Sequence, residues 1–496
     1  MYASTISQVA NRVALVHSTR RGFFPIPFDI TNAFIRASMG SIKVCVRLPE
    51  SFRSESSDDG KRILLRALYG LPVSPKLWNK TLNRDLESLG WRQSNHEPGV
   101  WILKERDEVV GICTVYVDDC VVACETKESS EAELEKIHNL HPLTRISTKK
   151  FPDGSIEFDL LGADVLINTQ KREFKLSMTK YVDKLLARFD MTHCKALSTP
   201  SFEEAQLYAK ADLCPKFEYR SLIGGLQWLS TVCRPDLAHS VGMLARASAN
   251  PVTNSMVKCG RRVLRYLKGT REYGLTFSPE QEREFNLKYS KLLNHPDNID
   301  FVKPDQLNQA VHTFSDASFG VSYRTMRSIS GTIIYLHSTP VAWRSKVQSV
   351  FSSSTTESEW IAMSDSISIS ESVHAVHEFL LGKPALQGPI WCDNRGAVVS
   401  ARKGPEGTDE ISKRTRHVAL RFAKVLPEFQ RIWFSPTDQQ LADGLTKSCN
   451  REALQNLFHG VSAPLLVEDG DEDFDGDETY FATSFLVRPF KNLTFY

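Results

Sequence analysis

The fold and the chemistry of this chain are decided by one stretch, Val109-Val110-Gly111-Ile112-Cys113-Thr114-Val115-Tyr116-Val117-Asp118-Asp119-Cys120-Val121-Val122-Ala123. Apolar β-forming residues stand on both sides of the adjacent aspartates Asp118 and Asp119. This pattern predicts a strand, a tight turn and a second strand. Such a turn presents carboxylates at its tip, where they can bind Mg²⁺, which prefers oxygen ligands. For the pair taken alone, the alternative is an ordinary Asp-rich hairpin turn.

A further carboxylate stands at the end of another apolar segment, Phe28-Asp29-Ile30-Thr31-Asn32-Ala33-Phe34. Two-metal phosphoryl transfer holds its ions about 3.5–4 Å apart and clamps both the attacking and the leaving oxygen. Asp29 and the Asp118-Asp119 turn could bridge such a pair of ions. Between them lies Leu68-Tyr69-Gly70-Leu71-Pro72-Val73-Ser74-Pro75-Lys76-Leu77-Trp78.

These three segments, in this order and at this spacing, resemble the reverse transcriptase of a copia-type LTR retrotransposon Pol polyprotein. The resemblance implies that Asp29 and Asp118 bind two catalytic Mg²⁺ ions, with Mn²⁺ as a possible substitute, and that Asp119 completes the metal site. Phe34 matches the aromatic gate that rejects a ribose 2′-hydroxyl, whereas on its own it would be interpreted as a core aromatic. Pro72 and Ser74 would contribute to the nucleotide site. Trp78, Leu82, Leu86 and Leu89 recur at helical spacing before Gly90, which predicts a packed helix.

A second group of carboxylates follows near the end of the chain. Asp316 closes a β-like segment, Glu359 stands in a helical segment, Asp393 ends a short strand pattern and Asp443 begins a predicted final helix. This order resembles the ribonuclease H domain of the same polyproteins. The resemblance implies that all four bind two Mg²⁺ ions that activate water against an RNA phosphodiester. Thr356 to Glu359 also fits a capping box, so a helix cap is the alternative for Glu359.

Basic segments suggest contacts with nucleic acid. Cations alternate with apolar residues from Arg261 to Thr270, which predicts a helix with one basic face, formed by Arg261, Arg262, Arg265 and Lys268. Such a face can lie along phosphates, and a solvated surface helix is the alternative. Lys413-Arg414-Thr415-Arg416-His417 resembles a family segment in which Arg416 and His417 would contact substrate. A basic surface loop with a structural histidine is the alternative there.

Composition limits the possible classes of protein. With 496 residues, the chain is too long for one core, and 41% hydrophobic and 24% charged residues fit a soluble protein. The net charge is +2, but the run 468–478 holds eight carboxylates, so without it the balance rises to +10. A basic body suits a polyanionic partner, although solubility also explains it. No apolar stretch suggests a membrane span or a secretory signal, and ten scattered cysteines suggest neither a zinc site nor disulfides.

We therefore expect a multidomain protein of α+β and α/β units. Residues 1–195 would form a ferredoxin-like polymerase palm, 196–279 a mostly helical thumb or connection, and 280–310 an irregular linker or insertion. Residues 311–450 would form a ribonuclease H-like mixed sheet with helices, and 451–496 a largely disordered acidic tail. The helical expectation extends from Tyr219 to Thr276.

The predicted function is RNA-directed DNA polymerisation with cleavage of RNA–DNA hybrids. Its partners would be an RNA template, a DNA primer, RNA–DNA hybrids and deoxynucleoside triphosphates, in the cytoplasm, within a retrotransposon particle, or in the nucleus. The family's fingers strands are expected upstream of the first motif and are not in the sequence. Two alternatives follow: a truncated copy with ribonuclease H activity alone, and a non-catalytic relic that binds nucleic acid.

Overall fold

A computed structural model of the protein describes residues 5–53, 58–298, 310–402 and 423–458. Their strands form one six-stranded sheet, two five-stranded sheets and one two-stranded sheet. The expected mixture of α+β and α/β units is thus confirmed at the level of secondary structure. Within these ranges, no helix combines the length and the apolar character needed to cross a membrane.

The first unit contains the six-stranded sheet and the two-stranded sheet. Its helices are α1 (Gln8–Arg21), α2 (Ala33–Arg36), α3 (Ser74–Ser88) and α4 (Lys127–Leu140). Its strands are β1 (Phe24–Ile30), β2 (Cys45–Arg47), β3 (Lys61–Ile63), β4 (Trp91–Gln93), β5 (Val100–Glu105), β6 (Glu108–Tyr116), β7 (Asp119–Cys124) and β8 (Leu143–Arg145). The large sheet has the order β4-β5-β6-β7-β1-β8, and β2 pairs with β3.

The hairpin of β6 and β7 confirms the strand–turn–strand prediction. Tyr116 pairs with Asp119, so the turn consists of Val117 and Asp118 alone. Both strands are buried along most of their length, which explains why their sequence is almost continuously apolar.

The predicted helix after Pro72 is α3. Trp78, Leu82 and Leu86 are buried on one of its faces, as their spacing indicates. Gly90 follows with a φ of 91°, a left-handed conformation that glycine adopts without steric cost.

The second unit is a five-stranded antiparallel sheet with a helical layer. Its strands are β9 (Lys149–Lys150), β10 (Ile156–Leu160), β11 (Ala163–Asn168), β12 (Glu173–Ser177) and β13 (Gly274–Phe277), in the order β13-β12-β11-β10-β9. Its helices are α5 (Thr179–Arg188), α6 (Glu204–Leu207), α7 (Tyr219–Val232), α8 (Ala238–Ala247), α9 (Asn254–Gly269) and α10 (Pro279–Leu293). A 3-10 turn, Pro235–Leu237, precedes α8.

Two sequence expectations for this unit are wrong. Gly274–Phe277 is a strand rather than the end of a helical region, and it pairs with β12. The two strands approach closely at Gly274, where a Cβ would lie 2.2 Å from the Leu176 carbonyl oxygen. The expected irregular linker contains α10, which begins after Ser278, whose side chain accepts a hydrogen bond from the Gln281 amide. Phe285, Tyr289 and Leu292 are buried on α10, so this helix is amphipathic. Its many charged residues made the segment look irregular in the sequence.

The third unit is built on a mixed sheet. Its strands are β14 (Val311–Ser318), β15 (Ile329–Leu336), β16 (Thr339–Val347), β17 (Ile390–Cys392) and β18 (Ile432–Phe434). The order is β16-β15-β14-β17-β18, with β14, β15 and β16 antiparallel and β17 and β18 parallel to β14. Its helices are α11 (Thr355–Leu381), α12 (Arg395–Arg402) and α13 (Arg451–Asn456). The helix expected to begin near Asp443 is instead a 3-10 turn, Asp443–Leu445.

Helix α1 joins the three units. The buried guanidinium of Arg12 donates hydrogen bonds to the carbonyl oxygens of Thr231 and Val232 in the second unit and of Val341 in the third. It also lies 4.2 Å from the ring centroid of Trp343. These contacts fix the first unit against the other two.

Candidate catalytic carboxylate sites

The first carboxylate site lies where β1 and β7 meet the two-residue turn. Asp29, near the end of β1, is directly opposite Asp119, the first residue of β7. The amide of Ile30 donates a 3.0 Å hydrogen bond to the Asp118 carbonyl oxygen, which fixes the turn against β1. Antiparallel pairing thus places Asp29 beside the adjacent Asp118 and Asp119, which stand far along the chain from it.

Burial and like charge both raise carboxylate pKa values in this first site. Burial raises the pKa of Asp29, and the charge of Asp118 raises it further. The pKa of Asp119 is raised by burial and then by Asp118 and Asp29. Carboxylates arranged in this way favour either a bound proton or a bound cation.

Two aromatic rings stand beside these carboxylates. The ring centroids of Phe34 and Tyr69 are 4.6 Å apart. Burial, followed by the charges of Asp118 and Asp29, raises the pKa of the Tyr69 phenol, whereas hydrogen bonds from the amides of Phe34 and Ala33 lower it. Phe34 is therefore held close to the site, and Tyr69 is a neighbour that the sequence did not single out.

The two other residues expected at the nucleotide site differ in their surroundings. Pro72 is exposed, whereas Ser74 is fully buried. The Ser74 hydroxyl donates to the carbonyl oxygen of Leu68 at 2.7 Å and accepts from the amide of Leu68 at 3.1 Å. Ser74 therefore closes the loop before α3, and we assign it a structural role.

Trp78 has a second role besides the core packing that its spacing predicts. Its side chain is 1% exposed, and its indole Nε1–H donates a 2.8 Å hydrogen bond to the carbonyl oxygen of Val117. Its helical spacing in the sequence indicates only the core position. The tip of the carboxylate turn is thus attached directly to α3.

The second carboxylate site lies at the carboxyl ends of β14 and β17, two inner strands of the third sheet. One oxygen from each of Asp316, Asp393 and Asp443 lies within 4.8 Å of the other two. One oxygen each from Glu359 and Asp393 and the sulfur of Cys392 form a second group within the same distance. The two groups share Asp393. Their members come from β14, α11, the end of β17 and the 3-10 turn at 443–445, so the fold brings together all four carboxylates that the sequence predicted.

The structure distinguishes Glu359 from its neighbour Glu357. The Ser354 hydroxyl accepts a hydrogen bond from the Glu357 amide, so Ser354 is the N-cap of α11. The Glu357 carboxylate accepts from the Ser353 amide and supports the same helix start. Glu359 is 4% exposed and accepts from the Ala317 amide at 3.2 Å. The capping alternative for Glu359 is therefore wrong.

Burial and like charge act together in the second site. The pKa of Asp316 is raised to about 7 by burial, followed by Asp443 and Asp393. Burial and the charges of Asp316 and Asp393 raise the pKa of Glu359 well above its ordinary value. Burial and Asp443 raise the pKa of Asp393. The carboxylate pKa values are therefore raised more strongly in the second site than in the first.

Three polar side chains surround the second site without having been predicted. The Thr446 hydroxyl donates to Asp316, and the Lys447 ammonium lies 2.7 Å from Asp443. Gln440 donates to the Ser315 carbonyl oxygen at 3.0 Å. Thr446 and Lys447 stand three and four residues after Asp443, a spacing that could have indicated them.

The second site fits divalent cations. Asp443 Oδ1 is buried and accepts no hydrogen bond in the described part of the chain. Carboxylate oxygens at this separation are the ligands of Mg²⁺ and Mn²⁺, and a two-ion site needs a carboxylate shared between the ions, which Asp393 supplies.

The predicted basic face of α9 is partly occupied within the protein. Arg262 donates to the Ser201 carbonyl oxygen, and Arg265 donates to that of Lys195. Arg261 is exposed and Lys268 is half-buried, so these two remain candidates for a nucleic-acid contact. Arg416, His417 and the acidic run 468–478 lie outside the described residues.

Comparison with known proteins shows which proteins this chain is similar to. Residues 6–203 match the family described as "Reverse transcriptase (RNA-dependent DNA polymerase)". The chain is thus similar to reverse transcriptases over residues 6–203 and to retrotransposon Pol polyproteins over most of its length.

Particular relatives cover most of the chain. The "Retrovirus-related Pol polyprotein from transposon RE1" of Arabidopsis thaliana is 26% identical over 92% of this chain. The "Retrovirus-related Pol polyprotein from transposon TNT 1-94" of Nicotiana tabacum is 23% identical over 86% of it. The chain spans 29% and 30% of these two polyproteins. The "Putative transposon Ty5-1 protein YCL074W" of Saccharomyces cerevisiae is 27% identical and matches over 99% of its own length.

Proposed function

We propose that the chain is an RNA-directed DNA polymerase that also cleaves the RNA strand of RNA–DNA hybrids. The polymerase proposal rests on one observation above all: β1 and β7 place Asp29 opposite Asp119, beside the turn that carries Asp118. The matching of residues 6–203 to the reverse transcriptase family supports it.

The topology of the first unit supports a polymerase palm. Four strands of the large sheet lie in the order β8-β1-β7-β6, with α3 between β1 and β6 and α4 between β7 and β8. This is the arrangement of a ferredoxin-like βαββαβ unit. Strands β9–β12, included in the palm by the sequence prediction, belong to a separate sheet together with β13.

In the proposed reaction, the 3′-hydroxyl of a DNA primer attacks the α-phosphorus of a deoxynucleoside triphosphate, and pyrophosphate leaves. Mg²⁺ ions held by Asp29, Asp118 and Asp119 would neutralise phosphate charge and lower the pKa of the attacking hydroxyl. The protein's main contribution is to keep these carboxylates in place. Phe34, held against Tyr69, would exclude the 2′-hydroxyl of a ribonucleotide.

The test is extension of a DNA primer on an RNA template with Mg²⁺. Asp118→Asn removes a charge with little change in volume and should abolish extension. Asp107→Asn is the matched control, because Asp107 is an exposed aspartate in the turn between β5 and β6 of the same sheet. Equal extension by wild type and Asp118→Asn would refute the proposal.

The ribonuclease proposal rests on the cluster of Asp316, Glu359, Asp393 and Asp443. The strand order β16-β15-β14-β17-β18, with α11 between β16 and β17, supports a ribonuclease H-like domain. Water would attack the RNA phosphodiester, and the ribose 3′-oxygen would leave. Divalent ions at the four carboxylates would stabilise the charge on the phosphate oxygens.

Cleavage of a labelled RNA–DNA hybrid tests this second activity. Asp393→Asn should abolish cleavage, whereas Asp365→Asn, a half-buried aspartate on α11, should leave it unchanged. Cleavage without extension by the wild type would favour a protein with ribonuclease H activity alone. Absence of both activities, with hybrid binding retained, would favour a non-catalytic nucleic-acid-binding protein.

A further inference from the structure

The turn that carries the catalytic aspartates is strained. Val117 has a φ of 63°, in the left-handed region. A β-branched residue pays a steric penalty there, and Val117 is the sole β-branched residue with positive φ in the described ranges. Such strain persists only where surrounding contacts hold the backbone in place.

Two hydrogen bonds hold this turn. The Val117 carbonyl oxygen accepts from Trp78 Nε1–H at 2.8 Å, and the Asp118 carbonyl oxygen accepts from the Ile30 amide at 3.0 Å. The second bond comes from β1, the strand that carries Asp29. The first comes from outside the sheet, from the middle of α3, so a helix side chain fixes the strained residue.

Trp78 is itself firmly placed. Its indole is buried in the core of the first unit, and the His141 ring meets it edge-on with centroids 5.2 Å apart. His141 Nε2 lies 2.9 Å from the Asp85 carboxylate, and Asp85 stands two turns after Trp78 on α3. The indole N–H is therefore directed at the turn by packing on both sides.

We propose that Trp78 is a positioning residue of the polymerase site, which sets the spacing of Asp118 and Asp119 from Asp29 by holding Val117 in its strained conformation. This inference rests on the proposed polymerase function. Without the indole hydrogen bond the turn can relax, and the carboxylates lose the geometry that a divalent ion requires. The Val117 carbonyl would also lose its buried partner.

The test compares two buried tryptophans of the same core. Trp78→Phe removes the hydrogen bond, and Trp91→Phe is the matched control. Trp91 is also 1% exposed, and its buried Nε1 has no hydrogen-bond partner among the residues that the structure describes. Trp78→Phe should raise the Mg²⁺ concentration for half-maximal extension about tenfold, the effect of one lost hydrogen bond with a buried carbonyl. Trp91→Phe should leave it unchanged.

A second measurement does not depend on polymerisation. Electron paramagnetic resonance measures how much Mn²⁺ each variant binds. The component of interest is the Mn²⁺ binding that is present in wild type and absent in Asp118→Asn. Trp78→Phe should weaken this component, and Trp91→Phe should not. If wild type fails to extend a primer while Trp78→Phe still weakens this binding, the polymerase proposal is overturned and the positioning role stands.

Rescue separates a positioning role from a loss of core packing. Glycine adopts the φ of Val117 without a steric penalty, so Trp78→Phe/Val117→Gly should recover a large part of the lost Mg²⁺ affinity. Absence of rescue, or equal losses in Trp78→Phe and Trp91→Phe, would overturn the positioning role. If Trp78→Phe fails to fold but the double variant folds and binds Mn²⁺ like wild type, the role is upheld.

Discussion

At the scale of single residues, the second site depends on two buried carboxylates. Asp316 and Glu359 are 5% and 4% exposed, and each faces further carboxylates. A metal-free cluster of this kind is a source of instability that a bound cation relieves. Function and stability therefore oppose each other at Asp316.

Removing that charge should stabilise the metal-free protein. The pKa of Asp316 rises from 3.8 to about 7, so between these values the folded state keeps a proton that the unfolded state has lost. Stability therefore falls as pH rises through this range. Asp316→Asn should raise the unfolding free energy at pH 7.5 in EDTA by about 1–3 kcal/mol, while abolishing hybrid cleavage.

Thermal unfolding with EDTA and with Mg²⁺ measures this effect. Mg²⁺ should raise the melting temperature of wild type more than that of Asp316→Asn. An Asp316→Asn protein that is less stable than wild type in EDTA would contradict the burial argument.

Hybrid cleavage should also depend on pH in a metal-dependent way. Protons and Mg²⁺ compete for Asp316, whose pKa of about 7 reflects burial and then Asp443 and Asp393. The rate should increase with pH through this region, and the midpoint should move to lower pH as Mg²⁺ is raised. A midpoint that does not change with Mg²⁺ concentration would exclude the competition.

At the scale of elements, some could be predicted from the sequence and others could not. The hairpin β6–β7 and the helix α3 were evident because their apolar patterns match their burial. Helix α10 was missed because its charged residues masked the apolar spacing of Phe285 and Tyr289. Strand β13 was missed because four residues carry too little pattern, and its place depends on pairing with β12.

The same distinction applies to the sites. The carboxylates were predictable because their residue types and order carry the chemistry. The roles of Trp78 and Glu357 depend on hydrogen bonds to particular backbone atoms, which no periodicity shows.

Helix α1 offers a test of how the units are joined. Burial lowers the pKa of Arg12 to about 9, and its partners are neutral carbonyl groups. Arg12→Met would leave those buried carbonyls without their donor, at a cost of about 1–3 kcal/mol. Chemical denaturation should show this loss, whereas Arg188→Met, at an exposed pair with Glu218, should change stability by less than about 0.5 kcal/mol. Equal effects of the two substitutions would contradict the joining role of Arg12.

At the scale of the whole molecule, histidines lie where the three units meet. His17 Nε2 of α1 is 2.9 Å from His377 Nδ1 of α11, and His337 Nδ1 is 2.8 Å from Glu282 Oε1 of α10. Burial is the largest cause of a lowered pKa at all three histidines. The pKa of His377 falls to about 3, that of His17 falls well below its ordinary value, and that of His337 is also lowered. The other charged or titratable neighbours are Arg20, Arg21 and His374.

Acidification should therefore loosen the contact between the units. A histidine whose pKa is lowered in the folded state stabilises the fold at pH values above its ordinary pKa of 6.5. This stabilisation is lost as the pH falls below 6.5. Between pH 7.5 and 5.5, wild type should lose about 1 kcal/mol more than His17→Gln. Thermal unfolding at both pH values measures the difference, and equal losses would show that His17 does not contribute.

We propose that one chain holds two independent carboxylate sites with different chemistry. The most direct test measures primer extension and hybrid cleavage side by side in wild type, Asp118→Asn and Asp393→Asn. We predict that Asp118→Asn loses extension and keeps cleavage, and that Asp393→Asn loses cleavage and keeps extension. Loss of both activities in either folded variant, or neither activity in wild type, would contradict the claim.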